Sequence, residues 1–343
     1  MSDQYQSFYG EDLLPDLVSM SFVHLRNRRR NAFLRKALRV GGASEQPSNA
    51  LLIDHARTLA HHLKPLAASL DKLHHPKKAD FVLFENLPID PQLPAPLEDG
   101  RRPASKTTWV SELTLLAAAV VAGLEPLTYQ KLHSDVLVQE MVPTQAQTVI
   151  SLGQTAFGFQ TDMAILNRSY RPEMVLLLGL ANASETPTLI ATLDRALDWL
   201  SQEAPAALAV LQSPRFRISF PEALTTDQGK VIYSEPRPVL TFSPNLGWEM
   251  AGNFPTLQAV DAEAQMALVA LQRALDQAVF PIFLMPGTLL VFNNHRVAHG
   301  RWPMAGQQWV QKLYGRRSLE AIRQATGQGE QQHGFDVRSL ISE

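Results

Sequence analysis

The sequence predicts a mainly β fold with flanking helices, an α+β chain whose short strands close into a barrel or a sandwich. Three observations lead to this prediction. Apolar runs of strand length recur at irregular spacing after the first 76 residues, helical periodicity dominates those first residues, and no internal repeat is visible. Short strands preceded by helices and interrupted by one helical insert indicate a β core covered by a helical jacket.

The first third of the chain supplies the jacket and the first strand. Residues 11–76 carry Leu, Ala, Arg and His at helical spacing and predict two or three helices. Ala79–Leu87 predicts a strand that ends at Pro88, and the Pro-rich residues 88–103 predict a surface loop. Trp109–Leu124 then predicts an apolar helix.

The remainder of the chain alternates strands with two helices. Strands are predicted at Val136–Val142, Thr148–Leu152, Met174–Ala181, Phe216–Phe220, Pro238–Phe242, Phe280–Met285, Thr288–Asn293 and Trp309–Tyr314. Helices are predicted at Leu189–Glu203 and Asp261–Ala278. The polar, Gln-rich segment Gln324–Glu343 predicts a mobile tail. We expect a single domain over residues 1–343, with the jacket in 1–76 and the β core in 79–323.

The composition limits the classes of function. The chain has 343 residues, 45% hydrophobic and 19% charged, with a formal net charge of -2. This balance is typical of a soluble globular protein of enzyme size and argues against a general nucleic-acid binder. The absence of cysteine excludes disulfides, thiolate metal sites and cysteine nucleophiles.

No segment predicts a membrane protein or a secreted one. The longest apolar stretch, Leu113–Leu124, is too short to span a bilayer. Met1–Tyr5 lacks the charged and then apolar pattern of a signal peptide. We therefore expect a cytoplasmic protein without a membrane partner, and the sequence leaves its oligomeric state open.

Two separated segments look like the halves of a non-heme iron site. Phe157–Ala164 reads FGFQTDMA, and Asn293–Arg301 reads NNHRVAHGR. Such a site takes His-x-Asp/Glu from one strand and a second His from a distant strand, and it leaves one face of Fe(II) open. Asp162 and His299 occupy the carboxylate and distal imidazole positions. Gln160 occupies the position of the first imidazole.

These segments, with FVLFENLPID and PGTLLVFNNHRVAHGR, resemble the clavaminate-synthase-like branch of the iron/2-oxoglutarate dioxygenases, relatives of taurine dioxygenase. The resemblance runs from about Phe81 to Arg317. It implies a double-stranded β-helix, or jelly-roll, with the early helices packed outside. It also implies Fe(II), 2-oxoglutarate and a substrate that is a free or activated amino acid.

The chain departs from that family at two functional places. Gln160 stands for the first metal-binding His. In the late strand, Gln308 aligns with the Arg that binds 2-oxoglutarate, and Lys312 aligns with the Arg that holds the substrate carboxylate. Strand alternation puts Gln308, Lys312 and Arg316 on one face, so Lys312 or Arg316 could replace the missing cation.

Other family positions have both a functional and a structural interpretation. Thr188 lies at the spacing of a cosubstrate Thr, or it begins a helix. Ser151 and Gln139 align near substrate positions, or they are structural. His295 is a possible replacement ligand close to His299, or a structural residue.

We consider three hypotheses for the activity. The first is an iron-dependent oxygenase acting on an amino-acid-like small molecule, with Fe(II) held weakly by Asp162, His299 and Gln160, and with poor 2-oxoglutarate binding. The second is a pseudo-oxygenase that binds a small molecule or a partner without redox turnover. The third is a non-oxidative enzyme that uses the same cavity.

Overall fold

The computed structural model describes residues 22–40, 47–75, 77–132, 135–142, 158–224, 231–301 and 308–341. Its strands are, in chain order, β1 Phe22–His24, β2 Phe81–Glu85, β3 Glu125–Gln130, β4 Val138–Met141, β5 Met174–Asn182, β6 Thr188–Thr192, β7 Phe216–Ile218, β8 Leu240–Ser243, β9 Gly247–Met250, β10 Leu257–Ala259, β11 Val279–Ile282, β12 Leu289–Asn293, β13 Val297–Arg301, β14 Gln308–Arg316 and β15 Gly334–Asp336. Its α-helices are α1 Asn27–Ala37, α2 Asn49–Leu59, α3 Ala67–Lys72, α4 Val110–Val121, α5 Leu193–Glu203, α6 Pro205–Leu211, α7 Ala262–Gln277 and α8 Glu320–Thr326. The predicted strand Thr148–Leu152 lies outside the described residues.

Two sheets form the β core. The larger sheet has the order β1-β2-β12-β5-β14-β3-β15, and β4 pairs with β14 beside β3. The smaller sheet has the order β11-β6-β13. Inward residues of both sheets meet in one buried cluster, for example Val175 of β5, Ile190 of β6 and Val297 of β13. This is the jelly-roll architecture that the sequence predicted.

The central strands of the larger sheet are buried on both faces. Along β5, Val175 and Leu177 belong to the cluster between the sheets, whereas Leu176 and Leu178 belong to a second cluster under the helices. Helix α4 contributes a nearly continuous buried surface to that second cluster. Because both faces are covered, these strands are read in the sequence as uninterrupted apolar runs rather than as alternating ones.

A glycine allows the turn before β12 to approach β5. A Cβ atom built on Gly179 would lie 2.4 Å from the carbonyl oxygens of Leu284 and Met285. Gly287 in the same turn has a φ of 80°, which a residue with a side chain rarely adopts. These two glycines allow β12, and therefore the segment leading to His299, to pack close to β5.

The prediction of a mobile tail after residue 324 is wrong for the residues described. Strand β15 pairs in parallel with β3, and the Thr128 N–H donates to His333 O at 2.8 Å. Phe335, Val337 and Leu340 are at most 1% exposed. A polar composition hid three closely spaced apolar residues, which bury enough surface to hold the segment against the core.

The prediction that a helix begins at Leu189 is also wrong at its start. Thr188–Thr192 forms β6, which pairs with β11 on one side and β13 on the other, and α5 begins only at Leu193. Thr188 is therefore a buried strand residue and not the first residue of a helix. A short apolar run has no periodicity that separates a buried strand from a helix.

Several of the strands were not predicted, and the longest of these is β3. Glu125–Gln130 forms β3, which pairs with β14 and β15. β3 lies beside β14 only over its first residues, where Pro126 faces Gly315. Proline is tolerated at such positions near the start of a strand.

Among the described residues, no helix is both long and apolar enough to cross a membrane.

Candidate functional site

Gln160 and His299 are held side by side by their main chains. The Gln160 N–H donates to His299 O, and the His299 N–H donates to Gln160 O, each at 2.9 Å. His299 belongs to β13, the edge strand of the smaller sheet. The segment with Gln160 is thus added to that edge, and the two family ligand positions lie next to each other.

Asn294 fixes the main chain of Asp162. The Asp162 N–H donates to Asn294 Oδ1 at 2.8 Å, and Asn294 Nδ2 donates to Asp162 O at 2.9 Å and to Pro172 O at 3.1 Å. Asn294 is completely buried in the turn between β12 and β13. One amide side chain therefore ties the segment carrying the carboxylate to the turn that leads to His299.

Several polar side chains converge on the Asp162 carboxylate. His299 Nε2 lies 3.5 Å and Lys312 Nζ 3.4 Å from Asp162 Oδ2, and Gln160 Nε2 lies 3.4 Å from Asp162 Oδ1. The side chains of Asp162 and Lys312 are each 7% exposed and that of His299 is 12% exposed. Asp162 and His299 therefore lie close together, as predicted, and the buried ammonium group of Lys312 lies beside them.

Lys312 is held by a second polar contact on its own strand. Lys312 Nζ donates to Tyr314 Oη at 2.8 Å, and the Tyr314 hydroxyl also hydrogen-bonds Asp162. Burial and the Asp162 charge keep the pKa of Tyr314 well above its ordinary value, and burial raises the pKa of the adjacent Tyr129. Both phenols therefore stay protonated, and Tyr314 contacts the Asp162 carboxylate as a neutral group.

The donor set fits Fe(II) poorly. Asp162 and His299 are good ligands, but Gln160 turns its amide nitrogen, a hydrogen-bond donor, toward Asp162. In the described part of the chain, no three His, Cys, Asp or Glu side chains are grouped so that they could hold a metal ion. Lys312 brings a positive charge to the carboxylate oxygen that faces His299. The site therefore provides two good metal ligands, Asp162 and His299, and one competing cation, Lys312.

The position expected to bind the far carboxylate of 2-oxoglutarate is neutral. Gln308 is 3% exposed, and its Nε2 donates to Thr186 O at 3.1 Å. Thr186 is itself bound through Asn182, opposite Gln308 in the sheet. A carboxylate entering here would meet an amide that is already bonded to the main chain rather than a guanidinium fork. Thr188, predicted near the cosubstrate, is buried in the neighbouring β6, and its role stays a prediction.

Arg316 shares the face of Lys312 but is bound elsewhere. Its guanidinium donates to Arg171 O and Ser318 O and lies 3.4 Å from Glu173. The structure therefore does not bring Arg316 to the group around Asp162. Its cosubstrate role stays a prediction that these contacts do not support.

Of the predicted substrate residues, Gln139 is close to the site. It lies opposite Lys312 in the register of β4 and β14. Its side chain is buried, and Nε2 has no hydrogen-bond partner in the described part of the molecule. Gln139 and Lys312 line one cavity of about 660 Å³ together with Glu140 and Trp109. Ser151 lies outside the described residues.

His295 lies apart from the carboxylate, in the turn before β13. It is 2% exposed, and burial together with nearby arginines keeps its pKa well below the ordinary value. Its ring is thus neutral, and it lines a small cavity with Arg168 and Glu249. The structural interpretation of His295 agrees with this position.

Glu140 is a partly buried acid that the sequence did not single out. It accepts hydrogen bonds from Trp309 Nε1 at 2.6 Å and Gln311 Nε2 at 2.9 Å. Burial, and then the charge of Glu112, raise its pKa to about 7.

Asn294 and Tyr314 were missed as well. For Tyr314 the signal was present, because it lies two residues from Lys312 on the same strand face.

The fold and this site define a class of protein. Residues 113–314 match the model of the taurine catabolism dioxygenase TauD, TfdA family, and the chain belongs to that family.

Characterised relatives are similar at low identity. Clavaminate synthase 2 of Streptomyces clavuligerus is 26% identical over 279 residues, 76% of this chain and 82% of that protein. L-asparagine oxygenase of Streptomyces coelicolor is 26% identical over 261 residues, 72% of this chain and 74% of that protein. Both are similar over most of their length, so the resemblance is not confined to one motif.

Solved structures share the fold. Asparagine oxygenase in complex with Fe(II), 2S,3S-3-hydroxyasparagine and succinate has a TM-score of 0.73 at 22% identity, covering 92% of this chain and 99% of that one. The non-heme iron oxygenase OrfP with Fe, succinate and (3S)-hydroxy-L-Arg has a TM-score of 0.72 at 21% identity, covering 92% and 100%. At such identities the match carries the architecture and leaves the reacting groups to be argued from this chain.

Proposed function

We propose that this protein binds an amino-acid-like small molecule in the cavity beside Lys312 and acts on it without the iron and 2-oxoglutarate of its relatives. The observation that carries the proposal is the contact of 3.4 Å between Lys312 Nζ and Asp162 Oδ2. In this arrangement Lys312 neutralises the carboxylate that a metal ion would otherwise neutralise.

Charge repulsion makes the ammonium and a divalent ion poor neighbours. Two unit charges 4 Å apart interact by about 4 kcal/mol at an effective dielectric of 20, and a divalent ion doubles that figure. Removing Lys312 from Asp162 to admit a metal ion would also break its hydrogen bond to Tyr314. The amide of Gln160 is a weaker donor than an imidazole and does not offset these costs.

The neutral cosubstrate position supports the second half of the proposal. Gln308 cannot neutralise the far carboxylate of 2-oxoglutarate, and burying a carboxylate without a paired charge is costly. With the metal and the arginine both replaced, 2-oxoglutarate loses the two interactions that hold it in the family.

An amino-acid-like ligand suits the cavity next to Lys312. Asparagine and arginine derivatives are bound by the relatives described above. Lys312 lies between Asp162 and the cavity lined by Gln139 and Glu140. A carboxylate group of the ligand would meet the ammonium and the unpaired amide nitrogen of Gln139. Such charge-assisted contacts are strong where water is excluded.

Proton transfer is the chemistry that this group of side chains supports. Asp162, His299 and Lys312 each carry an exchangeable proton or accept one, and His299 and Lys312 each lie within 3.5 Å of Asp162 Oδ2. Asp162 or His299 would take a proton from the bound molecule and return it at another atom, so that the molecule is rearranged without oxidation. General acid and base catalysis needs this geometry.

Two measurements test the proposal. Calorimetric titration with a panel of amino acids and their amides should find a ligand whose affinity falls at least about tenfold in Lys312→Met and Gln139→Leu. Incubation of that ligand with protein, Fe(II), 2-oxoglutarate and oxygen should release no succinate. Robust succinate release that depends on the ligand would overturn the proposal.

The iron oxygenase remains a second candidate because one observation favours it. His299 Nε2 and Asp162 Oδ2 lie 3.5 Å apart, so both can point at one ion. In that case Gln160→His would strengthen Fe(II) binding in the otherwise unchanged protein, because imidazole suits iron better than an amide oxygen. No change of Fe(II) affinity in Gln160→His would count against this second candidate.

A further inference from the structure

A second cavity, of about 310 Å³, shares no lining residue with the cavity beside Lys312. Its charged lining consists of Arg168, Arg171, Arg237 and Glu235. Glu235 is exposed and contributes to the rim. Three guanidinium groups against one carboxylate make this cavity positively charged.

Arg171 is the unusual member of this set. It is 8% exposed, and its Nε and Nη1 atoms are buried without a hydrogen-bond partner among the described residues. Burial, and then the repulsion of Arg168 and Arg237, lower the pKa of Arg171 to about 10. Burying guanidinium N–H groups without a hydrogen-bond acceptor is costly.

The nearby carboxylate is already engaged. Glu249 accepts two hydrogen bonds from Arg168, with distances of 2.5 Å to Nε and 2.7 Å to Nη2. Arg237 donates to the main-chain oxygens of Ala164 and Ile165, at 3.4 and 2.9 Å. In the described part of the chain, Arg171 and Arg237 have no carboxylate within ion-pair distance. Their charges can therefore be compensated by a bound anion.

We propose that this cavity binds a small oxyanion, the carboxylate or phosphate group of a small molecule, on Arg171 and Arg237. Guanidinium groups bind both kinds of oxyanion with paired hydrogen bonds. The site is separate from the proposed function and does not depend on it.

The position of the cavity gives the anion a structural consequence. Arg237 donates to the carbonyl oxygens of Ala164 and Ile165, which lie two and three residues after Asp162 in the chain. The main-chain oxygen of Arg171 accepts a hydrogen bond from the guanidinium group of Arg316 in β14. An anion that fixes both guanidinium groups would therefore hold the segment from Asp162 to Arg171 against the rest of the core.

Thermal unfolding of the full chain in different sodium salts tests the site. At matched ionic strength, phosphate or succinate should raise the midpoint by several degrees over chloride, because a ligand that binds only the folded state stabilises it. Succinate without phosphate would identify a carboxylate ligand, and phosphate without succinate a phosphate ester. Equal midpoints in all three salts would overturn the proposal.

Variants locate the effect. Titration of Arg237→Gln with the stabilising anion should show affinity at least about tenfold weaker than wild type. Arg215→Gln is the matched control, because Arg215 pairs with Asp261 and Glu263 outside this cavity. It should keep the wild-type affinity.

Arg171→Gln provides an independent measurement. It removes a buried charge that lacks a partner, so its midpoint in chloride should equal or exceed that of the wild type. Its midpoint should no longer respond to the anion. A wild-type response to the anion in Arg237→Gln and Arg171→Gln would contradict the site.

Discussion

Lys312 Nζ lies 3.4 Å from Asp162 Oδ2, in the same buried group as His299. Lys312 comes from β14 of the larger sheet, and His299 comes from β13 of the smaller one. The ion pair therefore links the larger sheet to the segment of Asp162, which is itself hydrogen-bonded to β13 through Gln160. The same pair determines what the site can bind, because one ammonium group offsets one carboxylate.

The clamp by Asn294 should contribute strongly to stability. Asn294→Ala removes three buried hydrogen bonds, two of them to the main-chain N–H and C=O of Asp162. We expect a loss of about 2–4 kcal/mol in the free energy of unfolding, measured by urea denaturation.

Asn167→Ala is the control for that variant. Asn167 is exposed and accepts one local hydrogen bond from the Ser169 N–H. Its loss should cost less than about 1 kcal/mol. Equal effects of the two substitutions would show that the contacts of Asn294 with Asp162 contribute nothing beyond an ordinary surface bond.

Glu140 should make the protein less stable as the pH rises from about 4.5 to about 7. Burial raises its pKa to about 7. Over that window the unfolded chain loses the proton of Glu140 while the folded chain keeps it, so ionisation favours unfolding. The full effect is about 3 kcal/mol, is absent below the lower pH and is complete above the higher one.

Glu140→Gln removes this titration and keeps a hydrogen-bonding amide. Gln311 Oε1 is buried without a partner in the described structure, so a turned Gln311 amide can accept from the new side chain. The difference in unfolding free energy between variant and wild type should grow in favour of the variant between pH 5 and pH 8. A difference that does not change with pH contradicts the assignment.

The C-terminal segment should be needed for stability. Phe335 is completely buried beside β3, and Phe335→Ala should cost about 3–5 kcal/mol. Phe242→Ala is the control, since Phe242 is 57% exposed, and its cost should stay below about 1 kcal/mol. If Phe335→Ala is as stable as the wild type in urea denaturation, residues 334–340 do not contribute to stability, and the mobile tail that the sequence predicted would be the better description.

The sequence predicted the class of fold and the neighbourhood of Asp162 and His299, because both depend on a motif frame and on strand periodicity. It did not predict that Lys312 would reach Asp162. Strand alternation puts Lys312 on the inner face, but the distance its side chain covers depends on how the two sheets approach each other. That approach is set by contacts far apart in the chain, such as Gly179 with the turn before β12.

Other residues were missed because their local signal has a more common meaning. An Asn between two strands is read as a turn residue, and only the three-dimensional structure shows that Asn294 clamps Asp162. Polar composition around residue 330 similarly suggested a tail, whereas three apolar side chains beyond it decide the outcome. The metal and substrate roles of the predicted site residues stay predictions.

The central claim is that Lys312 takes the place of the positive charge of a metal ion at Asp162. Anaerobic calorimetric titration with Fe(II) tests it most directly, on wild type, Lys312→Met, Lys312→Arg and the double variant Lys312→Met/Asp162→Asn. The wild type and Lys312→Arg should show no saturable binding, and Lys312→Met should bind Fe(II) at least about 100-fold tighter; this factor corresponds to about 3 kcal/mol, which is less than the full repulsion between an ammonium and a divalent ion. The double variant should lose that binding again. Tight Fe(II) binding by the wild type, with the same affinity in Lys312→Met, would contradict the claim and identify an iron site that tolerates the lysine.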